Sequence, residues 1–500
     1  MPTILTSLKR ITSQGLAQLS NVVGPLAQRL GVQISHQASK LGVPSTLSRS
    51  TIKQFFFNPK TQRLKSFPVA LAIVMLALSH HGKVSPDQSN ARLEATQPTA
   101  AQESPVSPQA RVARITDEIR GVWITNVASG VLFSPWGVPR AMHQLADMHF
   151  NTVYPVVWNR GKTFYHSDAL KKITGQTIDP LLAIAHPLKD PLAEMVELGH
   201  QRNIRVLPWF EYGFMVPMNS ALAQQHPDWL TTRHNGSRQL AEETFEVIAD
   251  KNAANNSGAT SGLFSNLLNS GAPTQLGWLN PLHPNVQGLL IGLIEEVVTD
   301  YNVDGIQLDD HFSWPVEFGY DAYTVSLYKA EHQGQGPPAN PADADWIRWR
   351  ANKLSKFVNV LHARIREKCP SCTLSLSPNP AKFAYRFHLQ DWRTWVDKGW
   401  IDELVVQVYR DQQDQFDSEL GKDPLQVARD RIPVTIGILT GTWRRPIPFE
   451  QIKAQVESSR DRHFSGVSFF YWDTLWSYFT PEAPQQRRQN FQQLLADYPR

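Results

Sequence analysis

Eight short apolar runs, separated by helix-length amphipathic stretches, constrain the fold of this chain more than any other feature. The runs are Arg120–Thr125, Thr152–Val157, Ile204–Phe210, Gly305–Leu308, Thr373–Ser377, Leu404–Val408, Val434–Ile438 and Gly466–Tyr471. The stretches between them include Arg140–Met148, Leu192–Arg202, Val286–Tyr301 and Ala351–Glu367. Alternating strands and helices predict a parallel sheet, and eight such units over about 360 residues predict an α/β fold closed into a (β/α)8 TIM barrel.

A doubly wound open sheet is the alternative fold. Such a sheet normally carries a glycine-rich nucleotide-binding turn after its first strand, and Gly121–Asn126 contains no such turn. Two insertions interrupt the barrel pattern, an Asn/Ser/Gly-rich stretch at Asn252–Pro273 and a Gly/Pro-rich loop at Gly334–Pro341. Because both follow strand ends, we expect them to shape a substrate cleft at the end of the barrel where active sites are built.

Charge is distributed unevenly along the chain. The formal net charge is +4, but residues 1–65 hold nine Lys or Arg and no acidic residue, so the remainder has 40 basic and 45 acidic residues. The mildly acidic main body argues against a nucleic-acid surface. We divide the chain into a basic lead (1–66), an apolar segment (67–79), a linker (80–116) and the barrel (117–500).

The apolar segment is typical of a targeting signal. Phe67–Leu78 is twelve apolar residues directly after a basic region, which predicts export to the periplasm or cell envelope. It is short for a membrane span of about 20 residues. No small-residue cleavage site follows it, so an uncleaved inner-membrane anchor stays open, as do an organellar transit sequence and a buried helix or strand. The Ser/Pro/Gln-rich residues 80–116 predict a disordered linker.

Polar residues follow the ends of the predicted strands, and the carboxyl ends of parallel strands meet at one mouth of a barrel. Acids and amides bind sugar hydroxyls and aromatic rings stack on pyranose faces, so this set predicts carbohydrate chemistry. The predicted catalytic residues are Asp309, Asp310, Glu211 and Asp473. The predicted substrate-binding residues are Asn126, Trp158, Asn159, Trp209, Tyr212, His311, Asn379, Gln407, Tyr409 and Trp472.

Glycoside cleavage needs one carboxyl group to protonate the leaving oxygen and another to act as nucleophile or base. We expect Asp309 to be the nucleophile or base, with the acid drawn from Asp310, Glu211 or Asp473. Asp304 precedes its strand, so we expect it at the opposite face in a structural role. The chain's 15 Trp and 23 Phe are consistent with a sugar cleft as well as with core packing.

Other chemistries find little support in the sequence. Asp309, Asp310 and His311 are metal-ligand types, but no spaced histidine set accompanies them, so we expect neither a metal nor another cofactor. No Gly-x-Ser-x-Gly motif supplies a serine-hydrolase nucleophile. Cys369 and Cys372 are the only cysteines, and their position between a predicted helix and strand predicts a local disulfide or two unreactive thiols rather than a redox centre.

A set of short motifs occurs along the chain in a characteristic order. They are Glu118–Ile124, Phe150–Trp158, Tyr165–Ser167, Asp190–Leu192, Gly199–His200, Val206–Phe210, Trp278–Pro281, Tyr301–Asp310, Ser375–Pro378 and Val406–Tyr409. Together they resemble the bacterial glycosyl hydrolase-like 10 family over roughly residues 117–480. The resemblance implies a TIM barrel and hydrolysis of glycan strands in the cell envelope, such as those of peptidoglycan.

The resemblance also bears on the candidate acids. Asp309 matches the family pattern, Asp310 stands at a more variable position, and Glu211 stands where many relatives carry another residue. A non-catalytic carbohydrate-binding barrel that tethers the cell wall to the membrane, or a transferase, would use the same residues, so both stay open. Two carboxyl groups within about 10 Å of each other would favour catalysis over binding alone.

Overall fold

The computed structural model describes residues 118–126, 129–187, 189–239, 275–442, 445–476 and 480–496. The predicted lead (1–66), apolar segment (67–79), linker (80–116) and Asn252–Pro273 insertion lie outside the described residues. Within the described parts, no helix combines the length and apolar character needed to cross a membrane.

The described strands are short, and most follow the apolar runs of the sequence. They are β1 (Ile119–Ile124), β2 (Thr152–Pro155), β3 (Trp158–Asn159), β4 (Lys162–Thr163), β5 (Arg205–Val206), β6 (Trp209–Phe210), β7 (Met215–Pro217), β8 (Leu276–Trp278), β9 (Gly305–Asp309), β10 (Thr373–Ser377), β11 (Glu403–Gln407), β12 (Val434–Leu439), β13 (Gly441–Thr442), β14 (Arg445–Pro446) and β15 (Gly466–Phe470).

Helices fill the connections between the strands. They are α1 (Gly137–Asp147), α2 (Asp168–Thr174), α3 (Pro180–Ala185), α4 (Pro191–His200), α5 (Ala221–Gln225), α6 (Pro284–Asp300), α7 (Ala322–Glu331), α8 (Ala344–Lys368), α9 (Ala381–His388), α10 (Trp392–Asp397), α11 (Gln413–Leu420), α12 (Asp423–Arg429), α13 (Phe449–Asp461), α14 (Trp472–Trp476) and α15 (Pro484–Ala496), with a 3-10 turn at Pro227–Trp229.

Several helix starts follow from the local sequence. Asp190 caps α4 by accepting a hydrogen bond from the Leu192 backbone at 2.8 Å, and Pro191 occupies the first helical turn. Asp321 caps α7 through the Thr324 backbone at 2.9 Å. Short acidic side chains satisfy the unpaired N–H groups of a first turn, and proline tolerates that position because its missing N–H would have no partner there.

One parallel sheet forms the centre of the fold. Its strand order is β5–β2–β1–β15–β12–β11–β10–β9–β6. The two end strands, β5 and β6, are separated in the chain only by Leu207 and Pro208, so the sheet curls back on itself. With helices in the connections, this is a TIM-like α/β fold, as the alternating pattern predicted.

Pro208 explains why the third predicted strand is split in two. Proline has no backbone N–H to donate to a neighbouring strand. Before this break, Val206 of β5 lies opposite Val153 of β2, and after it Phe210 of β6 lies opposite Leu308 of β9. The interruption therefore divides one predicted strand between its two neighbours.

The interior of the sheet contains a line of hydrogen-bonded polar side chains among apolar ones. The Trp123 indole N–H donates to Gln307 at 2.7 Å, the Gln307 amide donates to Ser375 at 3.1 Å, and Ser375 donates to Glu403 at 2.9 Å. Arg205 closes the line with two nitrogens, each 3.1 Å from Glu403 Oε2. Buried polar groups need such partners because an unpaired one is costly.

Three predictions about local structure can be compared with the observed positions. Cys369 and Cys372 form a disulfide in the turn between α8 and β10, so the disulfide alternative is confirmed. Asp304 precedes β9, where it accepts a hydrogen bond from the Val206 backbone and contacts His200 Nε2, both at 2.9 Å. The Gly334–Pro341 loop lies between α7 and α8, so α7 separates it from the end of β9.

Candidate active site

The carboxyl end of β9 delivers two adjacent aspartates to the mouth of the sheet. Asp309 is the last residue of β9 and Asp310 follows it, and both are almost fully buried, at 3% and 7% exposure. The five residues of β9 are all buried, so their apolar members fix the strand and its end point. The position agrees with the sequence-based expectation that these acids lie at a strand exit.

Neutral amides and one imidazole surround this acid pair. The Gln407 amide, at the end of β11, donates to Asp309 Oδ1 at 3.0 Å. The Asn379 amide, after β10, donates to Asp310 Oδ2 at 2.7 Å. His311 Nδ1 lies 3.1 Å from Asp309 Oδ2 and 3.0 Å from Asp310 Oδ1. All four carboxyl oxygens therefore have a partner, and three predicted binding residues contact the acids rather than open space.

The two aspartates have opposite protonation tendencies. Burial, together with the negative charge of Asp310, raises the pKa of Asp309 well above its ordinary value. Burial alone would also raise the pKa of Asp310, but the charge and hydrogen bond of His311 outweigh it and hold that pKa well below its usual range. The pKa values of the two carboxyl groups therefore diverge, so that Asp309 holds a proton more readily and Asp310 ionises more readily.

Glu211 is a third acid at the same mouth, one residue beyond the end of β6. Its side chain is partly buried, and burial raises its pKa to about 7, against the lowering effects of the Asn159 hydrogen bond and the His311 charge. The Asn159 amide donates to Glu211 Oε2. Since Asp310 also acts on this pKa, Glu211 belongs to the same electrostatic cluster as the aspartates.

Asp473, the fourth predicted catalytic residue, lies in different surroundings. It is buried in α14, after β15, and burial raises its pKa to about 7. The side chains that act on this pKa are Ser129, on the connection after β1, and Arg140 of α1. Asn126 lies two residues beyond the end of β1, and within the described chain its Oδ1 atom and Asp473 Oδ2 have no hydrogen-bond partner.

The predicted aromatic residues divide into two groups. The three tryptophans are buried: Trp158 donates its indole N–H to the Gly213 carbonyl at 2.8 Å, Trp209 packs on Trp123, and Trp472 packs on Trp476. Their burial favours a packing role over an open stacking face, and their part in substrate binding stays a prediction.

The predicted tyrosines are more accessible. Tyr212 and Tyr409 are partly exposed. Tyr212 stacks on His311 with ring centroids 5.9 Å apart, and its hydroxyl is 3.4 Å from Arg160 Nε. Tyr409 faces the acid pair, since burial and the charges of both aspartates raise its pKa well above 10. These two rings are therefore the better placed candidates for contact with a sugar.

The family of the chain follows from a match between its sequence and a family profile. The glycosyl hydrolase-like 10 profile matches residues 118–249 and 265–458. The chain belongs to the glycosyl hydrolase-like 10 family. The matched ranges include the strand exits that carry Glu211, Asp309 and Asp310, whereas Asp473 lies beyond them.

Among relatives of this glycosyl hydrolase-like 10 protein are two bacterial proteins named as glycosyl hydrolases. It is 23% identical to glycosyl hydrolase DigH of Escherichia coli strain K12, over 60% of this chain and 68% of the relative. It is also 23% identical to glycosyl hydrolase YngK of Bacillus subtilis strain 168, over 58% of this chain and 54% of the relative.

Solved glycoside hydrolases are similar to this family member at low identity. The PgaB (BpsB) glycoside hydrolase domain of Bordetella bronchiseptica is 12% identical, with a TM-score of 0.49 over 74% of this chain and 98% of that domain. The catalytic domain of the Paenibacillus polymyxa beta-amylase is 10% identical, with a TM-score of 0.47 over 77% of this chain and 99% of that domain. Family membership rests on the sequence profile.

Some residues that support the acids in this glycosyl hydrolase-like 10 protein were not predicted. Gln390 donates to the backbone oxygens of Asp309 and Phe312 at 3.0 and 3.1 Å. His388 is buried, and burial lowers its pKa to about 4. Both lie near the end of α9, away from any strand exit, so a search limited to strand ends misses them. Other residues of the same segment, such as Lys382, are also polar, so the sequence gives no signal that singles out Gln390 and His388.

The acid pair also offers metal-ligand atoms, because one atom each of Asp309, Asp310 and His311 lies within 4.8 Å of the other two. The same atoms also contact one another and two amide groups. His311 Nδ1 faces both carboxylates, and the amide N–H groups of Gln407 and Asn379 point at the remaining oxygens. The amide N–H groups stabilise the carboxyl oxygens as acceptors whether or not an ion is bound.

Proposed function

We propose that this chain is a glycosidase, built on a complete (β/α)8 barrel, that cleaves glycan strands of the cell envelope. The observation that carries the proposal is the Asp309–Asp310 pair, because adjacent carboxyl groups pushed to opposite protonation states are typical of acid–base catalysis.

In this mechanism Asp310 is the ionised group at the reacting carbon. It stabilises the positive charge that develops on the sugar ring, acting as nucleophile or as base for a water molecule. The sequence analysis expected Asp309 in that role, but its raised pKa favours a protonated Asp309 beside an ionised Asp310. Asp309 then limits the negative charge in the pair and keeps Asp310 positioned.

Glu211 is the proposed general acid. Its pKa of about 7 keeps much of it protonated at neutral pH. The Asn159 amide donates to Oε2, and in the proposed mechanism Oε1 carries the proton to the leaving group. The proton of Glu211 passes to the leaving glycosidic oxygen as the bond to the sugar breaks, and a water molecule completes the hydrolysis.

A comparison of three variants tests this assignment. The full chain is incubated with purified peptidoglycan, and released reducing ends are measured for the wild type, Asp310→Asn, Asp309→Asn and Glu211→Gln. Loss of the ionised group or the acid should lower kcat by roughly 10²–10⁴-fold. The exposed Glu457→Gln is a matched control that should keep wild-type activity.

The outcomes separate the competing functions. Release of sugar fragments by the wild type and not by Asp310→Asn supports the proposal. Equal release by both proteins removes Asp310 from catalysis. A wild type that sediments with peptidoglycan but releases no fragments at any pH supports the carbohydrate-binding barrel instead, and new glycosidic bonds in the products indicate a transferase.

We also propose that the protein acts outside the cytoplasm, bound to its glycan and, if the apolar segment at 67–79 stays attached, to the inner membrane. The support is the basic region followed by an apolar run, which is typical of a secretory signal. Fractionation of cells that produce the full chain, or a chain lacking residues 67–79, tests this. Equal recovery of both proteins in the cytoplasmic fraction would contradict export.

A further inference from the structure

His311 lies between the two aspartates and contacts both with a single nitrogen atom. Its Nδ1 is 3.1 Å from Asp309 Oδ2 and 3.0 Å from Asp310 Oδ1. We propose that His311 is a positioning residue whose shared Nδ1–H and positive charge hold the aspartates in opposite protonation states. The sequence analysis expected it to bind substrate. This inference rests on the proposed glycosidase function.

The backbone of His311 is fixed by the turn that follows β6. The Phe214 backbone N–H donates to the His311 carbonyl at 3.2 Å. Gly213 has a φ of +49°, and a Cβ atom on it would lie 2.5 Å from the His311 carbonyl oxygen. Only glycine permits this approach without strain. The turn therefore holds His311 in place through main-chain contacts that do not depend on substrate.

The imidazole ring is fixed from two sides. Tyr212 stacks on it with centroids 5.9 Å apart and an interplanar angle of 30°, and Trp278 lies at 6.1 Å. The ring thus has little freedom to turn Nδ1 away from the carboxylates. A ring held in one orientation can favour one protonation pattern of its neighbours, which a mobile ring cannot.

The charge of the imidazole is what distinguishes it from the other donors. Gln407 and Asn379 contact the outer oxygens of the pair, but their amides are neutral. Burial would lower the pKa of His311, yet the two aspartates raise it well above 6.5. A persistent cation beside two carboxyl groups stabilises one negative charge and leaves the second carboxyl group protonated.

Other titratable groups face this cluster and do not take over its role. His388 has a pKa lowered to about 4, so it is neutral at working pH. Tyr409 stays protonated because its pKa is raised well above 10. Glu211, with Arg160 near it, has a pKa of about 7 and is the group here that changes charge near neutrality. His311 is therefore the cation that faces the acid pair directly.

The substitution His311→Asn tests the charge separately from the hydrogen bond. The asparagine amide keeps an N–H donor near the position of Nδ1 but removes the positive charge. We expect the acidic limb of the kcat/KM pH profile to move up by at least about one pH unit, because Asp310 ionises less readily without the cation. Activity should be lost mostly at low pH and approach the wild-type value only near pH 7, above which both proteins lose the protonated general acid Glu211.

A purely structural role would give a different profile. If His311 only supports the fold, His311→Asn lowers activity by the same factor at every pH, and that result overturns the inference. Thermal unfolding of the variant shows whether it folds, and His311→Gln gives a second neutral amide if it does not. The exposed His143→Asn is the matched control and should keep the wild-type profile.

A measurement without substrate separates this inference from the proposed function. Exchange of the imidazole C2 hydrogen, followed by mass spectrometry of the full chain over a pH series, reports the titration of each histidine. We expect His311 to titrate well above pH 6.5 in the wild type and to move towards that value in Asp310→Asn. Titration near pH 6.5 in both proteins overturns the inference, whereas a wild type inactive on all glycans with the expected titration overturns only the proposed function.

Discussion

Glu211 shows how a single side chain links the chemistry of the site to the stability of the fold. Its pKa of about 7 arises mainly because burial disfavours the charged carboxylate. The same burial makes the ionised form costly to the folded protein. A proton donor suited to neutral pH is therefore also a source of instability above neutral pH.

The substitution Glu211→Gln should stabilise the protein progressively as the pH rises above about 4.5, with the full effect above pH 7. Below pH 4.5 the acid is protonated in both the folded and the unfolded chain, so it makes no difference there. From pH 4.5 to 7 the unfolded chain releases this proton while the folded chain retains it, and stability falls as pH rises. Above pH 7 the neutral glutamine should add up to about 3 kcal/mol to the free energy of unfolding.

Urea unfolding at pH 4.5, 6 and 8 measures this effect. The difference between Glu211→Gln and the wild type should grow with pH, while the exposed Glu457→Gln should track the wild type throughout. A difference that is the same at all three pH values would show that the substitution acts through packing. The Asn159 hydrogen bond to this position is retained, because the glutamine carbonyl also accepts.

At the residue scale, the sequence predicted positions better than roles. Asp309, Asp310, Asn379 and Gln407 meet as expected, because the carboxyl ends of neighbouring parallel strands lie side by side. The protonation states could not be predicted, since they depend on which donor faces which oxygen. The position of Gln390 depends on how the end of α9 packs, which no strand pattern contains.

At the element scale, the connection after β9 is held by a buried arginine of α8. Arg350 is fully buried and donates to the carbonyls of Val316, Phe318 and Pro341 at 2.6, 2.5 and 2.6 Å. Burial lowers its pKa to about 9, so it stays charged at neutral pH. It joins the segment beyond the acid pair to the loop before α8.

The substitution Arg350→Met should destabilise the protein by about 3–5 kcal/mol. Methionine fills part of the volume but leaves three carbonyl groups without a donor, and each unpaired buried group is costly. Chemical denaturation measures the loss. The exposed Arg348→Met, two residues earlier in α8, should change stability by less than about 0.5 kcal/mol. A similar small change for Arg350→Met would mean that the segment rearranges to satisfy its carbonyls elsewhere.

The elements themselves were largely predictable because their patterns are local. Each of the eight predicted apolar runs overlaps a strand of the main sheet, with bounds shifted by one or a few residues, and the third run holds both β5 and β6. The split of the third run at Pro208 was readable from the missing N–H, yet its consequence depends on the two neighbouring strands. The short hairpins, such as β3–β4, carry no alternating pattern and were not predicted.

At the scale of the whole molecule, the amino ends and the carboxyl ends of the strands carry different groups. The carboxyl ends hold the acid cluster, and the amino ends hold the buried Arg205–Glu403 pair, which starts β5 and β11. Glu403 also accepts hydrogen bonds from Ser375 at 2.9 Å and Tyr154 at 3.4 Å. In barrels of this kind, residues at the amino ends serve stability and those at the carboxyl ends serve chemistry.

The substitution Glu403→Gln should therefore lower stability and leave the chemistry intact. It removes the charge that balances Arg205 in a buried position, and breaking such a pair typically costs about 3–5 kcal/mol. The kcat of the folded variant on glycan should stay near the wild-type value, because the acid cluster at the opposite end is unchanged. Denaturation together with activity per folded molecule separates the two effects, with the exposed Glu331→Gln as control. Glu211→Gln should show the reverse pattern, with higher stability at pH 8 and lower activity. A large fall in kcat for Glu403→Gln would mean instead that the line from Glu403 through Ser375 and Gln307 couples the two ends of the sheet.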